Sequence, residues 1–339
     1  MTTSMQDRAV LVTGGSGYIG GWVIVELLRQ GFDVRTTLRD LSKTAALRKR
    51  IDEEADSSRL NFAEADLAAD AGWDEAMMGM RYVLHVASPM MQAGGGELLK
   101  PARDGTLRVL AAATRAGVKR VVVTSSLAAA TPVPARSSPA DETVWTDPMH
   151  PGLSEYARSK TLAEQAAWDY VGRNPGGLEL ATILPGLVQG PLLGLTASMS
   201  LDLVARMLKG QMPAVPRLGF PIVDVRDLID LHIKVMTHPE GGGQRWAASS
   251  DFLWMTEVAA VLKAHFGAGA RKVSTRVAPD LLIKIAALFK QEYRSLLPDL
   301  GKRQDFSAYK AEKLLGWQHR PARDAVIATA QSLIEKKLV

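Results

Sequence analysis

The sequence predicts an α/β fold: a doubly wound parallel sheet with a smaller, mainly helical C-terminal domain. Three observations carry this. Apolar runs of strand length alternate with helical periodicity through the first half of the chain. The strand runs are continuous rather than alternating, as in Val121-Val122-Val123, which suits strands covered on both faces. A glycine-rich turn joins the first strand to the first helix.

In chain order, residues 9–13 read as a buried strand and 18–30 as a helix closed by Gly31. Residues 33–38 form the second strand, 45–54 a helix, and 60–63 and 82–87 further strands. A long helix over 97–116 stops at Gly117, before a strand at 120–124. Residues 154–171 read as a strong helix and 180–184 as a strand. Two stretches break the rhythm. Residues 131–152 hold Pro132, Pro134, Pro139, Pro148 and Pro151 without periodicity, and a loop of this length is uncommon unless functional. Residues 185–217 are irregular apart from a helical patch at 199–209. Helical patterns then recur at 255–266, 279–289 and 323–337. The expected division is a first domain over 5–185, with 221–247 returning to it. Residues 186–220 and 248–339 form the second, capping a ligand crevice.

The 339 residues are 47% hydrophobic and 23% charged, ordinary values for a globular chain with a sizeable core. Absence of cysteine excludes disulfides, thiolate metal sites and cysteine nucleophiles. It suits a cytoplasmic location, as does an N-terminus without the order of a signal peptide. No apolar run has bilayer-spanning length. The net charge of +5 is dispersed, and its densest cluster, Arg48-Lys49-Arg50, is followed by Asp52, Glu53 and Glu54. That pattern reads as a solvated helix face, so neither nucleic acid nor membrane is expected as a partner. The six histidines are scattered without an HExxH pattern, and no metal is expected.

The turn reads Thr13-Gly14-Gly15-Ser16-Gly17-Tyr18-Ile19-Gly20. Glycines here permit a tight turn, close approach of a pyrophosphate and close helix–strand packing. The following helix N-terminus offers free N–H groups to the anion. Dinucleotide-binding sites of this Rossmann type usually place an acid at the end of the second strand when they prefer NAD. Here Arg39 stands at that point, with Lys43 four residues on. A guanidinium suits a 2′-phosphate, so NADP is the expected cofactor; the alternative is a surface arginine paired with Asp40. Asp66 follows the third strand and suits an adenine amino group. His85-Val86-Ala87-Ser88-Pro89 ends the fourth strand at the carboxyl edge, where ligands of open α/β sheets bind. His85, inside an apolar strand, reads as structural.

Tyr156 and Lys160 are four residues apart at the start of a helix and so share a face. A phenol titrates ordinarily near ~10, and a neighbouring cation favours its ionised form. Such a pair suits proton exchange with a carbonyl/alcohol oxygen. Ser125 and Ser126 end the fifth strand; successive residues face opposite ways, so one of the two is expected to reach a substrate, and Ser126 is preferred.

On these residues the chain resembles an extended short-chain dehydrogenase/reductase, closest to the dihydroflavonol reductase-like branch. The matching segments include 12–20, Arg39-Asp40, Ala65-Asp66-Leu67, 85–89, 123–126, Asp141-Glu142 with Trp145, 156–160 continuing into 162–168, Pro185, and Val223-Asp224. The resemblance implies Ser126, Tyr156 and Lys160 as the catalytic set. It implies Gly14, Gly17 and Gly20 at the phosphates, Arg39 as the NADP selector, and Asp66 and Leu67 at the adenine. Pro185, Leu187 and Val188 would flank the nicotinamide. It also implies NADPH-dependent reduction of an aldehyde or ketone. Pairing of two copies through the tyrosine-bearing helix is one arrangement of the family, and monomers are another; Leu162, Ala166 and Tyr170 would pack either on a partner or on the chain's own sheet.

Departures narrow the substrate. Thr131 stands where the plant flavonoid enzymes carry an asparagine, and Gly152-Leu153-Ser154-Glu155 precedes the tyrosine where cinnamoyl-CoA reductases carry Asn-Trp-Tyr-Cys. Leu127-Ala128-Ala129 offers no dehydratase acid. A nucleotide-sugar epimerase and a non-catalytic NADP-binding regulator stay as alternatives. The Arg39 reading predicts much tighter binding of NADPH than of NADH in fluorescence titrations; equal affinities would remove that role from Arg39.

Overall fold

The computed structural model describes residues 8–88, 99–134, 136, 138–195, 199–289, 294 and 296–339. Pro89 and the first two residues of the helix expected at 97–116 lie outside them. The elements are β1 (Ala9–Thr13), α1 (Tyr18–Arg29), β2 (Asp33–Leu38), α2 (Thr44–Asp52), β3 (Leu60–Glu64), α3 (Trp73–Met77), β4 (Tyr82–His85) and α4 (Leu99–Arg115). β5 (Arg120–Thr124), α5 (Glu155–Arg173), β6 (Glu179–Pro185), β7 (Leu187–Gln189), α6 (Met199–Leu208), β8 (Gly219–Asp224) and α7 (Val225–Thr237) follow. The chain ends with β9 (Gln244–Ala248), β10 (Phe252–Trp254), α8 (Met255–Phe266), α9 (Asp280–Phe289), α10 (Tyr309–Leu315) and α11 (Ala322–Glu335).

Seven parallel strands form one sheet in the order β3-β2-β1-β4-β5-β6-β9. Strand order reverses at β1, between β2 and β4, so the crevice of a doubly wound sheet opens there. All seven carboxyl ends therefore share one edge. β1, β4 and β5 are buried at every residue, as their continuous apolar runs require. A second sheet, β10-β8-β7, was not foreseen; its two three-residue strands, β7 and β10, are too short to show a period.

Glycine closes two helices by the same device. After α1, Gly31 adopts φ +77°, its N–H donates to Leu28 O at 2.9 Å, and Phe32 N–H donates to Leu27 O at 3.0 Å. After α4, Gly117 at φ +68° does the same with Thr114, and Val118 with Ala113. These are left-handed C-caps of the Schellman type. At the start of α5, the Ser154 hydroxyl accepts from Ala157 N–H at 3.2 Å, which sets where the helix begins.

The carboxyl end of α7 is fastened to the base of β5. Buried Arg120 donates to the carbonyls of Val235 (2.7 Å), Met236 (3.0 Å) and His238 (2.7 Å) and pairs with Glu179. The cation also meets the negative end of the helix dipole. Arg120→Met removes the donor to the Val235 and Met236 carbonyls, while His238 O keeps Gly241 N–H, and it is expected to lower unfolding free energy by about 3 kcal/mol. Urea unfolding measures this; a loss under about 1 kcal/mol, the worth of an exposed pair, would mean that the cap is dispensable.

Candidate active site

The predicted site residues lie on the connections that leave one edge of the large sheet, or in the first turns of α1 and α5. Gly14, Gly17, Tyr18, Ile19 and Gly20 follow β1; Arg39 and Lys43 follow β2; Asp66 and Leu67 follow β3. Val86, Ala87 and Ser88 follow β4, Ser126 follows β5, and Pro185, Leu187 and Val188 lie at the end of β6 and in β7.

The glycine turn is a main-chain cradle. Gly14 has φ +76°, and a Cβ there would sit 2.9 Å from the backbone of Ala87. A Cβ on Gly20 would sit 2.3 Å from the Gly14 carbonyl oxygen. α1 begins at Gly17 without a side-chain cap and without an acid in its first turn. Its N-terminal N–H groups and dipole are thus left for an anion, which fits a dinucleotide pyrophosphate. Arg50 of α2 holds the turn from outside, donating to Gly15 O (3.0 Å) and Ser16 O (3.1 Å). Arg48 donates to Ser57 O (2.7 Å) and Leu60 O (2.8 Å). The cluster read as a solvated helix face is therefore two structural staples around exposed Lys49. Their targets are main-chain carbonyls, which no sequence pattern marks.

Arg39 and Lys43 are exposed at the end of β2. Asp40 does not hold Arg39 back: its carboxylate accepts from Ser42 N–H at 2.9 Å. The Ser42 hydrogen bonds keep Asp40 below the usual carboxylate range, with Lys43 adding a smaller push. Asp66 accepts from Ala68 N–H at 3.0 Å. Gly105 of α4 makes room for Leu67, since a Cβ there would meet Leu67 Cβ at 2.9 Å. The side chains of Tyr18 and Val188 are committed to the core, at 5% and 4% exposure.

At the centre, Lys160 Nζ donates to Ser88 Oγ at 3.3 Å and to Thr124 O at 3.4 Å. The ammonium of α5 is thereby brought to the ends of both β4 and β5. Tyr156, one turn earlier on the same face, is 43% exposed. The two serines are separated by their partners. Ser125 Oγ donates to Glu164 at 2.6 Å and is spent in a buried network. Ser126 Oγ accepts from Ala128 N–H at 3.2 Å, capping the turn at 127–129, and its own proton has no acceptor among the described residues.

Two buried histidines flank this centre, and both are structural. His85 Nδ1 lies 2.8 Å from Thr13 Oγ1, which also accepts from Ala87 N–H at 3.1 Å. Thr106 Oγ1 spends its proton on Ala102 O at 2.9 Å and so accepts from His85 Nε2 at 3.5 Å; Nδ1 is then the acceptor, Thr13 donates to it, and the fourth strand's end is tied to the glycine turn. Burial, reinforced by Lys160, pushes the His85 pKa down to about 3. His232 Nδ1 donates to Leu228 O and its Nε2 accepts from the Thr124 hydroxyl, both at 2.8 Å. Burial pushes its pKa down to about 4, partly offset by the bond to Leu228. No group of three or more metal-ligating side chains occurs among the described residues, and none of their helices is long and apolar enough to cross a membrane.

Cradle, sheet order and the tyrosine–lysine face together define an extended short-chain dehydrogenase/reductase. The chain belongs to the NAD dependent epimerase/dehydratase family, whose pattern it matches over residues 10–248. It is 37% identical over 267 residues to cinnamoyl-CoA reductase 1 of Oryza sativa subsp. japonica, covering 77% of each chain. It is 33% identical over 271 residues to dihydroflavonol 4-reductase of Zea mays, covering 77% of this chain and 75% of that one. In fold it is similar to the yeast methylglyoxal/isovaleraldehyde reductase Gre2, solved with NADPH. That TM-score is 0.81 at 23% identity, covering 98% of this chain and all of the other.

Both histidines have folded pKa values below the unfolded 6.5. Their stability contribution is complete above pH 6.5 and is lost as pH falls toward about 4 and about 3, because the unfolded chain binds protons that the folded chain refuses. The urea midpoint is expected to drop from about pH 6.5 to 5, and less steeply in His232→Gln. An identical slope in the variant would mean that His232 is already protonated in the folded protein.

Proposed function

We propose that the protein is an NADPH-dependent reductase of aldehydes or ketones, with Tyr156 as proton donor, Lys160 as its cationic partner and Ser126 as a donor to the substrate oxygen. The observation that carries the reading is the position of Lys160. Its ammonium reaches Ser88 and the Thr124 carbonyl at the sheet edge, one helical turn from Tyr156.

NADPH is read from the open N-terminus of α1 and from Arg39, which is exposed and not neutralised by Asp40. Gly14, Gly17, Ile19 and Gly20 would bring main chain to the pyrophosphate, with Tyr18 backing that turn from the core. Arg39 and Lys43 would hold the 2′-phosphate, and Asp66 and Leu67 the adenine. Val86, Ala87 and Ser88 would line the crevice wall. Pro185, Leu187 and Val188 would flank the nicotinamide, with Val188 acting through the strand it builds. When bound, the reduced cofactor supplies a hydride to the carbonyl carbon.

Tyr156 gives its hydroxyl proton to the carbonyl oxygen, so C=O becomes CH–OH with one hydride and one proton added. Lys160 steadies the negative charge left on the phenol oxygen. Ser126, whose proton has no acceptor among the described residues, donates to the same carbonyl oxygen and stabilises charge as it develops. A small-molecule carbonyl compound is the partner this chemistry requires, and a cytoplasmic location accords with NADPH supply.

The test is NADPH oxidation with isovaleraldehyde, methylglyoxal, benzaldehyde and acetophenone, repeated with NADH. At least one carbonyl is expected to be reduced, and faster with NADPH. Tyr156→Phe should lower kcat by on the order of 10²- to 10⁴-fold. Wild-type turnover in that variant would displace Tyr156 from the role. Tightly retained NAD with no carbonyl reduction would favour an epimerase.

A further inference from the structure

Arg245, on β9, is buried, and all five of its N–H donors are used. Nε donates to Glu164 Oε1 at 2.8 Å, and Nη2 to Glu164 Oε2 at 3.2 Å and to Ala129 O at 3.1 Å. Nη1 donates to Glu142 O at 2.7 Å and Val144 O at 2.6 Å. The Trp145 ring covers the guanidinium face at 3.6 Å. Glu164 is equally committed. Beyond Arg245, it accepts from Thr182 Oγ1 at 2.7 Å and from Ser125 Oγ at 2.6 Å.

Three segments thus meet on one ion pair: the turn that follows Ser126, the proline-rich loop at 131–152, and α5. Glu164 continues the stripe of Tyr156 and Lys160 at a spacing of four, so one helix face carries all three. Stability alone does not call for this arrangement, since a well-packed apolar pair can serve as well as a buried ion pair. What an apolar pair lacks is direction. A planar fork with five donors sets the relative placement of the main-chain groups it holds.

We propose that the Arg245–Glu164 pair is a positioning element for the reductase reaction: it holds Ser126 in register with Tyr156 and Lys160. Neither residue touches substrate. The proposal rests on the catalytic reading of Ser126 given above.

A double-mutant cycle tests it, using purified full-length protein and whichever of the four carbonyls above is reduced fastest. Glu164→Gln breaks the bidentate pair, and is expected to lower kcat on the order of 10- to 100-fold, as a displacement of about 1 Å would. NADPH affinity, read by fluorescence, should change less than about twofold, well inside the tenfold that 1.4 kcal/mol represents. In the Ser126→Ala background the same substitution should cost less than about threefold, because coupled residues are not additive. Ser125→Ala, a near-isosteric change that removes one Glu164 hydrogen bond, supplies a second arm if Glu164→Gln does not fold. Its loss of kcat should likewise vanish in the Ser126→Ala background. Equal losses in both backgrounds would overturn the positioning role while leaving Ser126 catalytic. Unchanged kcat in Ser126→Ala alone would overturn the reading of Ser126, and the positioning role with it.

Discussion

Main chain packs directly on main chain where β1 turns into α1, and the rest of the crevice depends on that contact. Gly20 lies over the Gly14 carbonyl, and Gly14 lies against Ala87 beyond β4. Side chains at these points would push α1 away from the sheet and close the space in front of its N-terminus. The Thr13–His85 bond and the Thr13–Ala87 bond tie the end of β4 to the same turn. The cradle is therefore a product of two neighbouring strands, and Arg50 secures its outer rim.

Below the crevice the molecule buries polar groups that most cores exclude. His85, His232, Glu164 and Arg245 are all nearly or fully buried. Unpaired, each would be costly; paired, they cross-link the strands that end at the site. The two histidines work as neutral hydrogen-bond bridges, while Glu164 and Arg245 work as a charged one. Lys160 stands between these systems, bonded to the carbonyl of Thr124, whose hydroxyl is held by His232.

The parts of this fold legible in the sequence are those whose cause is local. Strands buried on both faces announce themselves as valine and leucine runs, and Gly31 and Gly117 close helices because only glycine takes the left-handed cap at no steric cost. The glycine turn and the spacing of Tyr156 and Lys160 are local as well. β7 and β10 are too short to carry a period, and five-residue α3 is set by packing of Trp73 rather than by an amphipathic repeat. The separation of Ser125 from Ser126 agrees with strand alternation, yet its cause is Glu164, 39 residues away. Arg245 meets Glu164 across 81 residues, and the targets of Arg50 and Arg245 are largely carbonyls, which every residue has.

Thr329, on the last helix, is fully buried; its hydroxyl accepts from Gly190 N–H at 2.7 Å and lies 3.1 Å from the Gly190 carbonyl. Gly190 directly follows β7, 139 residues upstream. Trp317 makes a comparable late contact, its indole N–H donating to Asp227 O at 2.8 Å. During synthesis the glycine turn and the first parallel strands emerge with their partners close behind, whereas the peptide group at Gly190 waits for the final helix. One flank of the sheet system therefore stays unsealed until a helix 139 residues further on has been made and has docked.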